Sequence, residues 1–346
     1  MLFDSRDRFR SVFEAGLERM LDTGSLNLFI LVCANASFDD RLFDRLRDRL
    51  QAEYDALLSG FQQAFRDGGQ VAEAEDDLLV FLKMASIGFD SLQLTRQRSA
   101  GIWEIQFNHL RSFRPSRSSN QVVDSIRMPF DERGFHFNKP FMQQEAIWQG
   151  ELLGRPVSLF YNKYPFVDLH ALLVPEPEAG RPQYLERDVH EFAWQAVREW
   201  GATMPDVRIA YNALGAFASV NHLHLQLFVR ERLLPVEQPL WAHNGGSECY
   251  PVDCHVFDDS ARAGNFIDGL NTVNQTYNLL YTPERLYILP RKKQGEFELA
   301  EWSNGFSWYE LCGGMITFNA QDFTRLHAQG VAMELARAAP GPVNRP

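Results

Sequence analysis

The chain has 346 residues, of which 45% are hydrophobic and 13% aromatic, and it carries 34 basic and 45 acidic side chains for a formal net charge of −11. This composition provides a large core and one or two domains. The negative charge argues against a protein that binds nucleic acid or a membrane surface broadly.

The first third of the sequence predicts a helix-rich region, which we assign to residues 1–115. The spacing of Phe, Leu and Tyr predicts helices over residues 5–22, 39–65 and 74–97. The apolar run 26–36 is too short to span a bilayer and predicts a buried strand. Basic and serine residues over 112–121 predict a loop, either a solvated basic turn or one that contacts phosphate.

The middle of the chain, residues 116–235, predicts a compact catalytic core. Its elements are a strand at 157–161, a strand at 170–175, a helix at 184–200, a strand at 207–214 and a strand at 221–230. This order indicates an α+β fold with a largely antiparallel sheet.

The strand predicted over 221–230 is the most informative segment. Apolar residues at 223, 225, 227 and 229 alternate with His222, His224, Gln226 and Phe228. Side chains on one face of a strand stand about 6.5–7 Å apart. The alternation therefore predicts two imidazoles and a carboxamide in a row on one face.

Together these three groups can bind a phosphate group and supply a nucleophile that attacks its phosphorus atom. A neutral imidazole, with a pKa of roughly 6.5, is a nucleophile near pH 7 and can carry a phosphoryl group as a phosphoramidate. The amide of Gln226 can donate to a phosphate oxygen, and His222 can orient the site. Two alternatives remain open from spacing alone: histidines that hydrogen-bond to the backbone, or a pair of metal ligands.

The motif His222-x-His224-x-Gln226 resembles the active-site motif of the nucleotidyl-transferring branch of the histidine-triad superfamily, which includes galactose-1-phosphate uridylyltransferase. Further segments resemble the GDP-hexose phosphorylase group of that branch, which acts on GDP-L-galactose or GDP-D-glucose. They are residues 211–224, residues 129–139 with Gln144 and Glu145, residues 287–290 and residues 310–315. The resemblance covers roughly residues 90–320.

The resemblance implies a histidine-triad-like half-barrel of mostly antiparallel strands with packed helices. It also implies phosphorolysis of a GDP-hexose to GDP and hexose 1-phosphate through a guanylyl-histidine intermediate. In this interpretation His224 is the nucleophile, Gln226 stabilises the transferred phosphoryl group and His222 orients the site. Inorganic phosphate is a co-substrate, and no other cofactor is required.

A wider set of residues is predicted to contact the substrate or nucleotide. The set is Asn162, Lys163, Lys139, His170, Asn212, Gly215, Ser219 and Asn221. Asn162 and His170 match the superfamily's nucleotide-facing asparagine and supporting histidine, although a turn residue and a core histidine would fit the same positions. Either lysine also fits a solvated surface charge. Small residues at 215 and 219 permit backbone N–H groups to approach a phosphate.

Residues 236–337 predict an α/β extension on the core, with a helix over 262–280 and a strand over 286–290. Residues 338–346 predict a disordered tail. Among the Cys and His residues at 243–255 the spacing matches no standard zinc module, so we predict no metal site. The four cysteines do not form a disulfide framework, and residues 1–10 lack a signal core, which predicts a cytoplasmic protein.

Two other functions stay open at this level. The first is a phosphorylase or adenylyltransferase on the same scaffold that acts on a diadenosine polyphosphate or an ADP-sugar, because the motif touches only phosphate. The second is a nucleotide-binding module without turnover. The predicted partners are a nucleotide-sugar or dinucleotide substrate and phosphate, without nucleic acid or membrane, in a possible homodimer.

Overall fold

A computed structural model describes residues 2–115, 122–303 and 305–340. Most of the predicted loop 112–121 and residues 341–346 of the predicted tail lie outside these ranges. Within them, the helices are all too short or too polar to cross a bilayer.

The helices concentrate at the two ends of the chain. They are α1 (Arg6–Met20), α2 (Leu26–Ala36), α3 (Asp40–Arg66), α4 (Glu75–Ile87), α5 (His109–Phe113), α6 (Arg187–Gly201), α7 (Ser260–Thr272), α8 (Trp308–Leu311), α9 (Ala320–Arg325) and α10 (Ala328–Ala338). The helices predicted over 5–22, 39–65 and 184–200 are confirmed with small shifts of their ends.

The strand predicted over 26–36 is wrong, because this segment forms helix α2. Every residue of α2 except Asn27 is buried, so the helix is apolar on all sides and shows no amphipathic period. The helix predicted over 74–97 ends at Ile87. Gly88 follows with φ +82, a conformation that terminates a helix and that glycine adopts without strain.

The strands form two sheets. They are β1 (Arg96–Ala100), β2 (Trp103–Phe107), β3 (Ala146–Leu152), β4 (Arg155–Tyr161), β5 (Ala171–Pro175), β6 (Val207–Asn212), β7 (Leu225–Val229), β8 (His255–Phe257), β9 (Tyr277–Tyr281), β10 (Leu286–Pro290) and β11 (Gly314–Thr317). The larger sheet has the order β3-β4-β5-β7-β6-β9-β10-β8, and the smaller has the order β1-β2-β11. Pairing in the larger sheet is antiparallel, which confirms the predicted α+β class.

Strand β7 lies inside the larger sheet, between β5 and β6, and is shorter than predicted. It begins at Leu225, so His222 and His224 precede it. The backbone there pairs with the loop before α6: Leu223 N–H donates to the Arg181 carbonyl, and His224 N–H donates to the side chain of Gln183. A side chain therefore takes the place of a neighbouring strand.

The C-terminal region continues the same sheet. The helix predicted over 262–280 ends at Thr272, and the chain then forms β9, which pairs with β6. The predicted boundaries at 115, 235 and 337 stay a prediction, although the larger sheet runs across residue 235.

The two faces of the larger sheet pack against different layers. Leu225, Leu227 and Val229 of β7 face the core formed with the N-terminal helices and α6. Phe228 faces a second core that contains Trp308. Gln226 shares the face of Phe228 because side chains alternate along a strand. A third, small cluster includes Phe137 and Phe160 and adjoins the histidines.

Candidate active site

His224 is buried, and its hydrogen bonds define its tautomer. Nδ1 lies 2.8 Å from the backbone oxygen of His222, and a carbonyl oxygen only accepts, so Nδ1 carries the proton. The lone pair is therefore on Nε2. This atom has no hydrogen-bond partner in the described part of the chain, so it is available to react with an electrophile.

His222 has the opposite tautomer. Its Nδ1 accepts from the backbone N–H of Phe137 at 3.0 Å, and its Nε2 donates to the backbone oxygen of Pro177 at 3.1 Å. Both ring nitrogens are thus occupied. The ring is fixed by the chain on either side, and its own carbonyl orients His224.

Burial keeps both imidazoles neutral. Desolvation lowers the pKa of His224 to about 4. Desolvation and the neighbouring His224 lower the pKa of His222 to about 4. A neutral His224 retains its Nε2 lone pair at neutral and mildly acidic pH, as a nucleophile requires.

Gln226 is held through its side-chain oxygen. Oε1 accepts from the indole N–H of Trp308 at 2.7 Å and lies 3.0 Å from Nε2 of His170. His170 accepts at Nδ1 from Phe166 N–H, so its Nε2 carries the proton and donates. The amide nitrogen of Gln226 has no partner among residues 2–115, 122–303 and 305–340. It is therefore free to donate to a ligand.

Gln183 is a central residue that the sequence analysis missed. Its Oε1 accepts from His224 N–H at 2.8 Å, and its Nε2 donates to the carbonyl oxygens of His224 and Asn212 at 3.1 and 2.9 Å. Gln183 is completely buried. The sequence gives no signal for it, because it lies in an irregular segment and acts across 41 residues.

The loop 128–139 closes over the two histidines. Asn221 accepts from Gln183 N–H and donates to the carbonyl oxygen of Pro129, so it ties this loop to the chain before α6. The Phe137 ring lies 5.2 Å from His224 and 5.5 Å from His222, measured between ring centroids. The loop thereby shields the histidines from bulk water.

Other predicted residues also lie in or beside this constellation. Nδ2 of Asn162 lies 3.3 Å from Nε2 of His170, and Oδ1 of Asn162 accepts from Tyr164 N–H. Asn212 is buried, and its Oδ1 accepts from Asn278 and from Trp308 N–H. Asn162 thus lies at the edge of the site, whereas the side chain of Asn212 is used within the protein.

The remaining predicted residues do not contact the histidines. Lys163 binds Asp77 at 2.6 Å and also Asn27, both in the N-terminal helices. Lys139 donates to the carbonyl oxygen of Glu132. Gly215 adopts φ +80 in the turn before the motif, and Ser219 is exposed there. Both lysines therefore bond to protein groups other than the histidines, and Gly215 and Ser219 lie on the adjoining turn.

Comparison with known proteins identifies related sequences. Residues 103–228 match the model of the family described as GDPGP1-like, N-terminal domain. The predicted relationship to the GDP-hexose phosphorylase group is confirmed. The matched segment includes Gln183 and the three motif residues, but it ends before Trp308.

Individual relatives cover only part of the chain. GDP-D-glucose phosphorylase 1 of Homo sapiens is 36% identical over 129 residues, which are 35% of this chain and 33% of that protein. GDP-L-galactose phosphorylase 2 of Arabidopsis thaliana is 30% identical over 245 residues, 58% of this chain and 56% of that protein. The alignments thus span from about a third to just over half of these relatives. The crystal structure of yeast Ap4A phosphorylase Apa2 gives a TM-score of 0.49 at 14% identity, covering 79% of this chain and 98% of that chain.

The described ranges contain no group of three or more His, Cys, Asp or Glu side chains that could hold a metal ion. At 243–255, His243 instead donates to the carbonyl oxygen of Val236. The absence of a metal requirement stays a prediction.

Replacing Gln183 is expected to destabilise the fold. A Gln183→Leu substitution leaves the N–H and C=O of His224 and the C=O of Asn212 without their partner, and one buried unsatisfied group alone costs about 1–3 kcal/mol. We expect the free energy of unfolding in urea to fall by at least about 2 kcal/mol. Gln195→Leu, at an exposed position of α6, is the control and should change stability little. Equal stability of the two variants would contradict the role of Gln183.

The buried histidines predict acid-sensitive stability. Desolvation lowers the pKa of His170 to about 3, and the pKa values of His222 and His224 are about 4. In the unfolded chain a histidine has a pKa near 6.5. Below that pH it binds a proton, whereas the folded residue stays neutral. The contribution of these histidines to the free energy of unfolding is therefore complete well above pH 6.5 and falls as the pH drops toward about 4. Urea unfolding at pH 7, 6 and 5 measures this slope, which should be smaller in a His170→Gln variant. The same slope in the wild type and in His170→Gln would contradict the lowered pKa of His170.

Proposed function

We propose that the protein is a nucleotidyltransferase that phosphorolyses a GDP-hexose to GDP and hexose 1-phosphate through a guanylyl-histidine intermediate. The observation that carries this proposal is the pairing of a free, neutral Nε2 on His224 with a free amide N–H on Gln226, two residues further along. A nucleophile and a donor for a phosphoryl oxygen are then side by side.

In the first step Nε2 of His224 attacks the α-phosphorus of the substrate. A nitrogen–phosphorus bond forms, and the bond from the α-phosphorus to the bridging oxygen breaks. The bonding electrons leave with that oxygen as hexose 1-phosphate. The positive charge that develops on the imidazole is stabilised at Nδ1–H by the carbonyl oxygen of His222.

In the second step an oxygen of inorganic phosphate attacks the guanylyl group. The nitrogen–phosphorus bond breaks, its electrons return to Nε2, and GDP leaves. In both steps charge accumulates on the non-bridging oxygens, and the Gln226 amide donates to one of them. Phosphate is the only co-substrate that this sequence of steps requires.

The other polar groups are proposed to bind the nucleotide. Asn162 contacts the nucleotide from the edge of the site. His170 holds Gln226 by donating to its side-chain oxygen. Asn212, Asn221, Gly215 and Ser219 shape the segment that leads into the motif. Lys163 takes no part in the steps because it forms an ion pair with Asp77. Lys139, on the loop 128–139, is proposed to contact the phosphates of the substrate.

A substrate panel tests the proposal. Purified protein is incubated with GDP-glucose, GDP-mannose, GDP-galactose, ADP-glucose, UDP-glucose or diadenosine tetraphosphate, each with and without inorganic phosphate. Phosphate-dependent release of GDP and a hexose 1-phosphate is the expected result and names the sugar. Release of ADP from an adenine substrate would show that the enzyme acts on adenine nucleotides and not on guanine nucleotides. No turnover with any substrate would overturn the proposal.

A further inference from the structure

We propose that Trp308 is a positioning residue: its indole N–H, together with His170, holds the Gln226 side chain so that the amide nitrogen faces the transferred phosphoryl group. The inference rests on the proposed function. It adds a residue that lies outside the segment shared with the GDPGP1-like family model.

The two ends of the Gln226 amide differ only in hydrogen bonding. Oxygen accepts and nitrogen donates, so the orientation is decided by the groups around it. Trp308 Nε1 and His170 Nε2 both donate toward the same atom, at 2.7 and 3.0 Å. A flipped amide would place its own N–H groups against these two donors, and both hydrogen bonds would be lost.

The Trp308 indole is fixed independently of Gln226. The ring of Trp308 stacks on Phe228, two residues along β7, with centroids 4.8 Å apart and an interplanar angle of 19°. The backbone N–H of Trp308 donates to Oδ1 of Asn212 at 3.0 Å. Trp308 is completely buried. The indole therefore cannot turn away from Gln226.

The helix that carries Trp308 is itself anchored. Ser307 and Glu310 form a capping box at the start of α8, in which the Glu310 carboxylate accepts from the N–H and the hydroxyl of Ser307. This short helix packs on the face of β7 that bears Gln226. A segment 82 residues after Gln226 in the sequence thus completes the site.

The same geometry gives a physical reason for glutamine at position 226. A carboxamide oxygen accepts two hydrogen bonds, whereas a ring nitrogen of histidine accepts one. A histidine at this position would leave either Trp308 or His170 as a buried donor without a partner. Trp308 and Gln226 therefore form a matched pair.

Trp308→Phe tests the inference by removing the N–H while keeping an aromatic ring on Phe228. We expect kcat for phosphorolysis of the GDP-hexose found active in the panel to fall by about 10–100-fold, with a smaller change in KM. The reason is that the Gln226 amide N–H, no longer held in place, stabilises the charge of the transition state less well. Trp241→Phe is the matched control. Its indole N–H donates to the Pro235 carbonyl oxygen at 2.6 Å in the same core, and we expect its turnover to stay normal.

A double-mutant cycle separates positioning from a general structural effect. If Trp308 acts through Gln226, adding Trp308→Phe to Gln226→Ala lowers kcat no further. If the loss is structural, the two effects multiply. Multiplying effects, or a Trp308→Phe variant with normal kcat, would overturn the inference.

The contact also has a readout that needs no turnover. In protein labelled with ¹⁵N at the tryptophan indoles, the Trp308 signal is assigned by its absence from Trp308→Phe. We expect this signal to shift in Gln226→Ala and to stay in place in Trp241→Phe. An inactive wild type would refute the proposed function alone, whereas an unshifted indole signal would refute the positioning role alone.

Discussion

A His224→Asn variant is expected to lose phosphorolysis by at least about 10³-fold, because removing a covalent nucleophile removes both steps of the reaction. The asparagine side chain is shorter and can still donate to the carbonyl oxygen of His222, which His224 uses in the wild type. It has no lone pair on nitrogen that can attack phosphorus. The measurement is the phosphate-dependent release of GDP under saturating substrate.

Two controls make this result specific. Circular dichroism and urea unfolding show whether the variant remains folded. Wild-type protein incubated with guanine-labelled GDP-hexose without phosphate should retain acid-labile label, and His224→Asn should retain none. Near-normal turnover by His224→Asn, or label that persists in it, would refute His224 as the nucleophile.

A Gln226→Ala variant is expected to lower kcat by about 10²–10³-fold, the usual cost of removing one donor to a charged transition state. The free amide N–H of Gln226 is the donor in question, since its oxygen is already bound by Trp308 and His170. KM should change less than kcat, because charge on the phosphoryl oxygens is greatest in the transition state. Steady-state kinetics with the active GDP-hexose give both constants.

Gln149→Ala provides the control for this substitution. Gln149 lies on β3 of the same sheet and is exposed, so its loss should leave both constants unchanged. A Gln226→Ala variant that raised KM while kcat stayed normal would indicate uniform substrate binding and would contradict transition-state stabilisation by the amide.

The sequence predicted the fold class well but misassigned elements that lack a distinct period. The helices with one apolar face and the central strands were confirmed. Helix α2 is buried on all sides, so its spacing does not distinguish a helix from a strand. Strands β1 and β2 were missed. Each is only five residues long, and the pairing of β2 with β11 far along the chain is not visible in any local pattern.

For the site, the sequence predicted three motif residues, whose roles stay a prediction. In the structure Nδ1 of His224 donates to the backbone oxygen of His222, and Gln226 follows two residues later on β7. The sequence did not identify Gln183 or Trp308, because each reaches the motif from a distant segment through a hydrogen bond that has no local signature. It also assigned Lys163 to the substrate. In the structure this lysine binds Asp77 of α4, 86 residues earlier, and only tertiary packing reveals that pairing.

The small sheet has a consequence for synthesis on the ribosome. Residues 104–107 of β2 pair in parallel with residues 314–317 of β11, so the two partners are separated by about 200 residues. At roughly 5–20 residues per second, the ribosome makes the intervening chain in about 10–40 s. During that interval the backbone of β2 on the side that pairs with β11 has no partner strand. Trp103 and Ile105 of β2, which are buried in the finished fold, lack part of their surroundings. We expect the nascent chain to depend on chaperones in this period and to acquire its protease-resistant form only after β11 has left the ribosome.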